Sequence, residues 1–220
     1  MWGGSIMAAI KKRSLVDQVY ERLRSDIITL RLPLGSRVNV NELQDTLGVS
    51  CTPIREALNR LQQEGLIEYE NNVGARVIAL TAKDVEEIQH LASTLHCAAV
   101  RLAMERGDHA AMAAQIGRRL EEFRGAETVH AQVSAVHHLL EVFYVHCGNS
   151  RLDRSMLAIQ GQQLLLRHLY AARGVDRARD EEDFQHIRQG VEAGDADVVC
   201  AAITENAGRI EKTVAETLEQ

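Results

Sequence analysis

Fourteen residues, Gly48-Val49-Ser50-Cys51-Thr52-Pro53-Ile54-Arg55-Glu56-Ala57-Leu58-Asn59-Arg60-Leu61, leave this chain few choices of local fold. Proline breaks a helix interior but suits its first turn, where the missing N–H is no loss. A helix therefore begins just before Pro53, with Ser50 or Thr52 as the expected cap. Ile54, Leu58 and Leu61 recur at i, i+4 and i+7, so one face is buried and Thr52, Arg55 and Asn59 point outward. Upstream, Asn41 is a candidate cap for a short helix through Leu47, and Gly48 supplies a left-handed turn at no steric cost. Two short helices about a glycine turn, the second offering polar groups from its N-terminal half, form a helix-turn-helix.

The flanking residues extend the pattern. Leu15, Val19, Leu23 and Ile27 define an amphipathic helix that stops before Leu32-Pro33-Leu34-Gly35. Leu66-Ile67-Glu68-Tyr69 and Ala75-Arg76-Val77-Ile78 alternate as strands around Asn71-Asn72-Val73-Gly74, which reads as a hairpin wing. The stretch GSRVNVNELQDTLGVSCTPIREALNRLQQEGLIEYENNVGARV closely resembles the N-terminal domain of the GntR family of bacterial transcription regulators, and the likeness runs without a gap over residues 12–80. That resemblance implies a DNA-contacting surface built from Arg37, Ser50, Cys51, Thr52, Arg55, Asn59, Asn72 and Gly74, with Lys11-Lys12-Arg13 as a further phosphate contact. Cys51, Asn59 and Val73 stand where the family usually has arginine or lysine, which points to an operator unlike the usual one. Asparagine can still read adenine. The alternative is a protein-docking winged helix in which Arg55 pairs with Glu56 or Glu64.

Charge separates the chain into two parts. Residues 1–80 hold 10 Lys/Arg against 9 Asp/Glu, whereas residues 81–220 hold 15 against 22 and all nine histidines. The net charge of −6 thus resides beyond residue 80, away from the DNA-reading part. Domains are expected at 1–80, with 1–10 disordered, and at 81–220. No run of 18 apolar residues predicts a membrane span, and Met1–Met7 lacks the basic flank and apolar core of a signal peptide. Cys51, Cys97, Cys147 and Cys200 are far apart with no CxxC, which argues against a zinc ribbon or disulfide framework and for a reducing cytoplasm.

After Thr81-Ala82-Lys83-Asp84, where Thr81 or Asp84 is the expected cap, helical patterns run over 84–106, 110–123, 129–146, 150–172, 181–193 and 196–218. The fold class is therefore mainly α: an N-terminal winged helix-turn-helix plus a C-terminal antiparallel bundle of about six helices. Asp84-Val85-Glu86-Glu87-Ile88, Cys147-Gly148-Asn149-Ser150-Arg151-Leu152 and Val191-Glu192-Ala193-Gly194-Asp195-Ala196 resemble the FCD effector-binding domain of the FadR-type branch.

Many such domains hold a divalent metal through one Asp and three His. Aligned on Gly148-Asn149 and Gly194-Asp195, those positions are Val136, Leu140, Phe184 and Asn206 here, so no metal and no other cofactor is expected. His138 and His186 lie two residues out of register, about 200° around a helix. His137 is closer to the required face, and most other histidines are expected at the surface or at an interface. The Arg and Glu that commonly face the family's cavity are replaced by Ala92 and His96. An effector pocket is therefore expected among the helices starting near Asp84, Val129 and Glu181, lined by Ala92, His96, Val136, His137, Leu140, Phe184 and Asn206, and suited to a compact, largely apolar or neutral molecule.

The expected function is a homodimeric, cytoplasmic regulator that binds a near-palindromic double-stranded DNA operator and responds to a small-molecule effector. A regulator with a vestigial, effector-free body is the alternative, and a small helical enzyme with a fused docking head is a remote one. No nucleophile–base pair, phosphate loop or HExxH pattern supports catalysis, so no catalytic residue is assigned.

Overall fold

Local caps and turns divide the chain much as its sequence implies. The computed structural model describes residues 14–70, 73–174 and 177–219; the Met1–Met7 start, the Lys11-Lys12-Arg13 cluster and Asn72 lie outside them. Helix α1, Leu15–Ile28, opens with a reciprocal Ser14/Asp17 capping box. Its first residue, Leu15, is 48% exposed and does not join the core that Val19, Leu23 and Ile27 form. Helix α2, Val40–Leu47, is capped by Asn39, whose side chain accepts from the Asn41 N–H. The cap is thus two residues earlier than Asn41, because both asparagines suit the role and the extended backbone falls at Asn39.

Gly48, at φ +64°, turns the chain into α3, Cys51–Gln63. Strands β1, Ile67–Glu70, and β2, Gly74–Val77, pair antiparallel from Ile67↔Val77 to Glu70↔Gly74 and form the wing. An isolated bridge from Arg37 to Arg76 ties the loop before α2 to β2.

Six further helices make the body: α4 Ala82–Arg106, α5 His109–Gly125, α6 Val129–His146, α7 Ser150–Ala172, α8 Arg177–Ala193 and α9 Ala196–Leu218. Thr81 and Asp84 cap α4 together, as a capping box. Helix α8 begins four residues before the expected Glu181. Its opening turns are charged and carry no apolar period to reveal them. Among the described residues no helix is long and apolar enough to cross a membrane.

Two apolar clusters hold these elements. One lies within the body and includes Ala99, Val100, Ile116, Phe143, Phe184 and Ile203. The other begins with Leu23, Ile54, Leu58, Leu61, Leu66 and Val77 of the head, and continues without a break into Val85 and Ile88 of α4, Leu165, Leu166 and Tyr170 of α7, and Ile210 and Val214 of α9. Head and body therefore share a core across residue 80. The two approach closely at Gly161 of α7, where a Cβ would stand 2.8 Å from the Leu66 Cδ1. Beside it, the Gln162 amide donates to the Gly65 carbonyl at 3.2 Å.

Candidate nucleic-acid interface and effector cavity

Charge pairing in the head singles out a surface. Seven arginines lie among its described residues, and five of them are paired with carboxylates: Arg22 and Arg31 with Asp26, Arg24 with Glu64, Arg60 with Asp17 and Arg76 with Glu70. The two remaining, Arg37 and Arg55, line one open groove of about 430 Å³ with Asn39, Asn59, Val73 and Gly74. Glu64 also accepts from the Tyr20 hydroxyl, so it is engaged by α1 and does not neutralise Arg55. A modest net charge thus conceals two free cations on one face, as a phosphate- and base-contacting surface requires.

The backbone adds to that face. Ser50 precedes α3 without a side-chain capping bond, and Pro53 in the first turn has no N–H to receive one. The start of α3, with Ser50 and Thr52 exposed and Cys51 half-buried, consequently keeps helix N-terminal donors open to an anion. Gly74 sits at φ +98° with nothing within 4 Å of an added Cβ, so the wing tip needs glycine for its backbone and is open on its outer side. Tyr69, absent from the expected site, joins the groove and sends its hydroxyl toward the Asn59 Oδ1 at 3.4 Å. Strand alternation would have put Tyr69 on the buried face of Ile67, so the sequence carried no signal for its exposure.

In the body the expected pocket proves to be divided. A narrow cavity of about 50 Å³ lies between α4, α6 and α7, lined by His96, His137, Leu140, Tyr144, Gln163 and Arg167 among others. Helix α8 takes no part in it. Val136 and Phe184 instead line a second space, of about 30 Å³, with Val133, Tyr170 and Asp180. Ala92 is buried in the body core outside both linings. Asn206 borders neither; its Oδ1 accepts from Arg167 at 3.2 Å and its amide donates to Asp180 and Asp183 at 3.1 and 3.3 Å. The cause is helix rotation: Leu140 and Val136 are one turn apart on α6, and a shared buried face can serve two neighbours.

Arg167 is the residue that sequence reasoning missed. It borders both cavities, and among the described residues no carboxylate lies within ion-pair distance of it. Burial pushes its pKa down to about 10, opposed by the charge of Asp180. The available signal was a single arginine in the run Leu164-Leu165-Leu166-Arg167-His168-Leu169. The His96 Nδ1 and the Tyr144 hydroxyl are 3.1 Å apart; with the hydroxyl as donor, the neutral ring carries its proton on Nε2. Burial, reinforced by Arg167 and His137, holds its pKa down at about 3, so the ring is neutral near pH 7. The Gln160 amide lies 2.9 Å from His137 Nε2, and burial with the neighbouring His138 pulls that pKa down to about 4.

His168, which borders neither of these two cavities, is 5% exposed. With His130, His137 and Arg24 it lines a separate space of about 290 Å³ between head and body. Among the described residues no three His, Cys, Asp or Glu side chains gather in a group that could hold a metal ion.

Residues 15–77 match the family model described as bacterial regulatory proteins, gntR family. An uncharacterized HTH-type transcriptional regulator YdhC from Bacillus subtilis (strain 168) is 36% identical over 91 residues, which cover 41% of this chain and 41% of that protein. A probable D-xylose utilization operon transcriptional repressor from Paenarthrobacter nicotinovorans is 38% identical over 94 residues, 43% of this chain and 42% of the repressor. The chain thus matches about two fifths of the length of these curated relatives. Across nearly the whole chain the fold is similar to that of E. coli McbR/YncC, with a TM-score of 0.75 at 21% identity, covering 95% of this chain and 99% of that one. A putative GntR regulator from Rhodococcus sp. RHA1 gives 0.69 at 21% identity, over 89% and 96%. Residues 15–77 thus match the winged helix of the gntR family of bacterial regulatory proteins, set on a helical body of the same fold as those two solved structures.

Proposed function

We propose that the whole chain is a ligand-responsive transcription regulator of the FadR-type branch, acting as a homodimer in the cytoplasm on a near-palindromic operator. The carrying observation is the convergence of Arg37 and Arg55, the two arginines without a carboxylate partner among the head's described residues, on one groove beside the start of α3. Helix α3 enters the major groove, Arg55 and Asn59 reach base edges, and the wing lies along the backbone. Arg55→Ala is expected to weaken operator binding by about 1–3 kcal/mol, roughly 5- to 150-fold. Fluorescence anisotropy on the promoter beside the protein's own coding region, at fixed salt, measures it, and an unchanged affinity overturns the reading. A stripe on α4, with Leu91 exposed and Leu95, Ala98 and Leu102 half-buried at helical spacing, supports self-association of the bodies.

The effector is a small monoanion with an apolar body. Arg167 pairs with its carboxylate, His96 Nε2–H donates to it, and Leu140 and Met156 pack its hydrocarbon. The exposed carboxylates of Glu141 and Asp153 also line the cavity and oppose a second negative charge. At about 50 Å³ the cavity must widen to admit any metabolite, and the helix that yields, α7, is the one that packs on the head. Arg167→Met is expected to weaken binding of a monocarboxylate found in a thermal-shift screen by about 1.5–3 kcal/mol, ten- to a hundredfold. The same narrowness favours a second reading, a constitutive DNA-binding protein; a screen in which no carboxylate raises the melting temperature supports that instead.

A further inference from the structure

Two cysteines that the sequence holds 103 residues apart meet across α4 and α9. The Cys97 Sγ is 3.8 Å from the Cys200 carbonyl oxygen, and the Cys200 Sγ is 3.8 Å from the Cys97 carbonyl oxygen. Such reciprocity requires the two helices to run close at this level with both thiols turned inward to the seam. The Thr204 hydroxyl stands 3.9 Å from Cys97. Cys97 is half-buried and forms part of an open groove of about 400 Å³ with Ser93, Thr94, Thr204 and Gly208, while Cys200, 7% exposed, lies outside that lining. A small oxidant thus has a path to Cys97, and Cys200 waits behind it.

We propose that Cys97 and Cys200 form a reversible oxidation site, at which a hydroperoxide converts the two thiols into a disulfide that joins α4 to α9. The Cys97 thiolate attacks the peroxide O–O bond. Sulfur takes one oxygen to become a sulfenic acid, and the other leaves with the thiol proton as water or alcohol. The Cys200 sulfur then attacks the sulfenic sulfur, and its proton leaves with the hydroxyl as a second molecule of water. Two thiols give up two electrons to one hydroperoxide, and a dithiol reverses the change.

The surroundings assign the roles. Hydrogen bonds from the Cys200 thiol and the Thr204 hydroxyl, with the Arg101 guanidinium near, hold the Cys97 thiol below its ordinary pKa against its burial. The bond to Cys97, together with burial, pushes Cys200 above its own. Cys97 is therefore the attacking sulfur and Cys200 the resolving one. Cys97 adjoins His96 of the cavity, and the same helix carries Val85 and Ile88 into the head's core, so the bond fixes a segment that serves both.

The test uses the full chain with Cys51→Ser, so that the half-buried thiol at the start of α3 cannot compete. After about one equivalent of hydrogen peroxide, alkylation, digestion and mass spectrometry are expected to show the Cys97 and Cys200 peptides joined and about 2 Da lighter than the free pair, released again by dithiothreitol. Oxidation should also raise the melting temperature, an effect absent from Cys97→Ser and from Cys200→Ser. Cys200→Ser should instead leave a dimedone-reactive Cys97. Serine is close to isosteric, and matching circular dichroism of the reduced variants confirms their folding. Both thiols remaining alkylatable after peroxide, or a cross-link through Cys147, overturns the proposal.

Discussion

Arg209→Ala is expected to destabilise the protein by about 3–5 kcal/mol, the usual cost of stripping one partner from a buried ion pair. Asp183 is 1% exposed, and its carboxylate contacts the Arg209 guanidinium directly. Its other support is weaker: the Asn206 amide at 3.3 Å and the Arg179 Nε at 4.0 Å. Asp180, whose pKa burial raises, also faces Arg209 at 3.6 Å. Removing Arg209 thus leaves two carboxylates sharing what remains, in the region from which Asn206 reaches Arg167. Urea unfolding followed by circular dichroism measures the loss. The double variant Arg209→Ala/Asp183→Ala should recover part of it, because the unpaired charge is gone. A loss below about 1 kcal/mol for the single variant would show that Arg179 takes over the pairing.

Mild acid should destabilise the fold almost as much. An unfolded histidine takes up its proton near pH 6.5, whereas folded His137 and His96 do so only near 4 and 3. Between those limits the unfolded chain holds up to two more protons than the folded one. Stability is therefore full above about pH 6.5 and falls as the pH is lowered, by up to about 1.4 kcal/mol per pH unit for each ring. At pH 5 the two together should remove about 4 kcal/mol relative to pH 7.5. Burial also depresses His168, which adds in the same direction. Urea midpoints at the two pH values test this. His96→Gln/His137→Gln should flatten the dependence, and a flat profile for the unaltered chain would mean that both rings are protonated when folded.

Much of this architecture was legible because it depends on local physics. Glycine breaks at 125, 148, 174 and 194, with side-chain caps at Thr128, Asn149 and Asp195, mark the ends of body helices without reference to packing. Proline and the i, i+4, i+7 period fixed α3 in the same way. Local signals could not choose between Asn39 and Asn41, which are equally good caps two residues apart. The cavity was less legible still. Periodicity shows which side of α6 is buried, but that side meets both α4 and α7 at Leu140 and α8 at Phe184, so His96 and Val136 were placed in one space when they occupy two. Long-range pairings were invisible for a simpler reason. Nothing near Cys97 announces Cys200, and nothing near Arg167 announces Asn206, until tertiary packing brings them together.

The glycine at position 161 has a consequence for how information crosses the molecule. Where it brings α7 against Leu66, the following two turns carry Leu165, Leu166 and Tyr170 into the head's core and Gln163, Leu164 and Arg167 to the cavity. In the regulator proposed above, one helical segment would thus border both the operator reader and the metabolite's enclosure, as two sides of a single partition. A partition stands in one position at a time. Its placement under DNA must then bias the cavity as strongly as an occupied cavity biases DNA, since the coupling free energy is the same read from either side. If the proposed effector binds there, promoter occupancy would set the metabolite concentration at which the protein lets go.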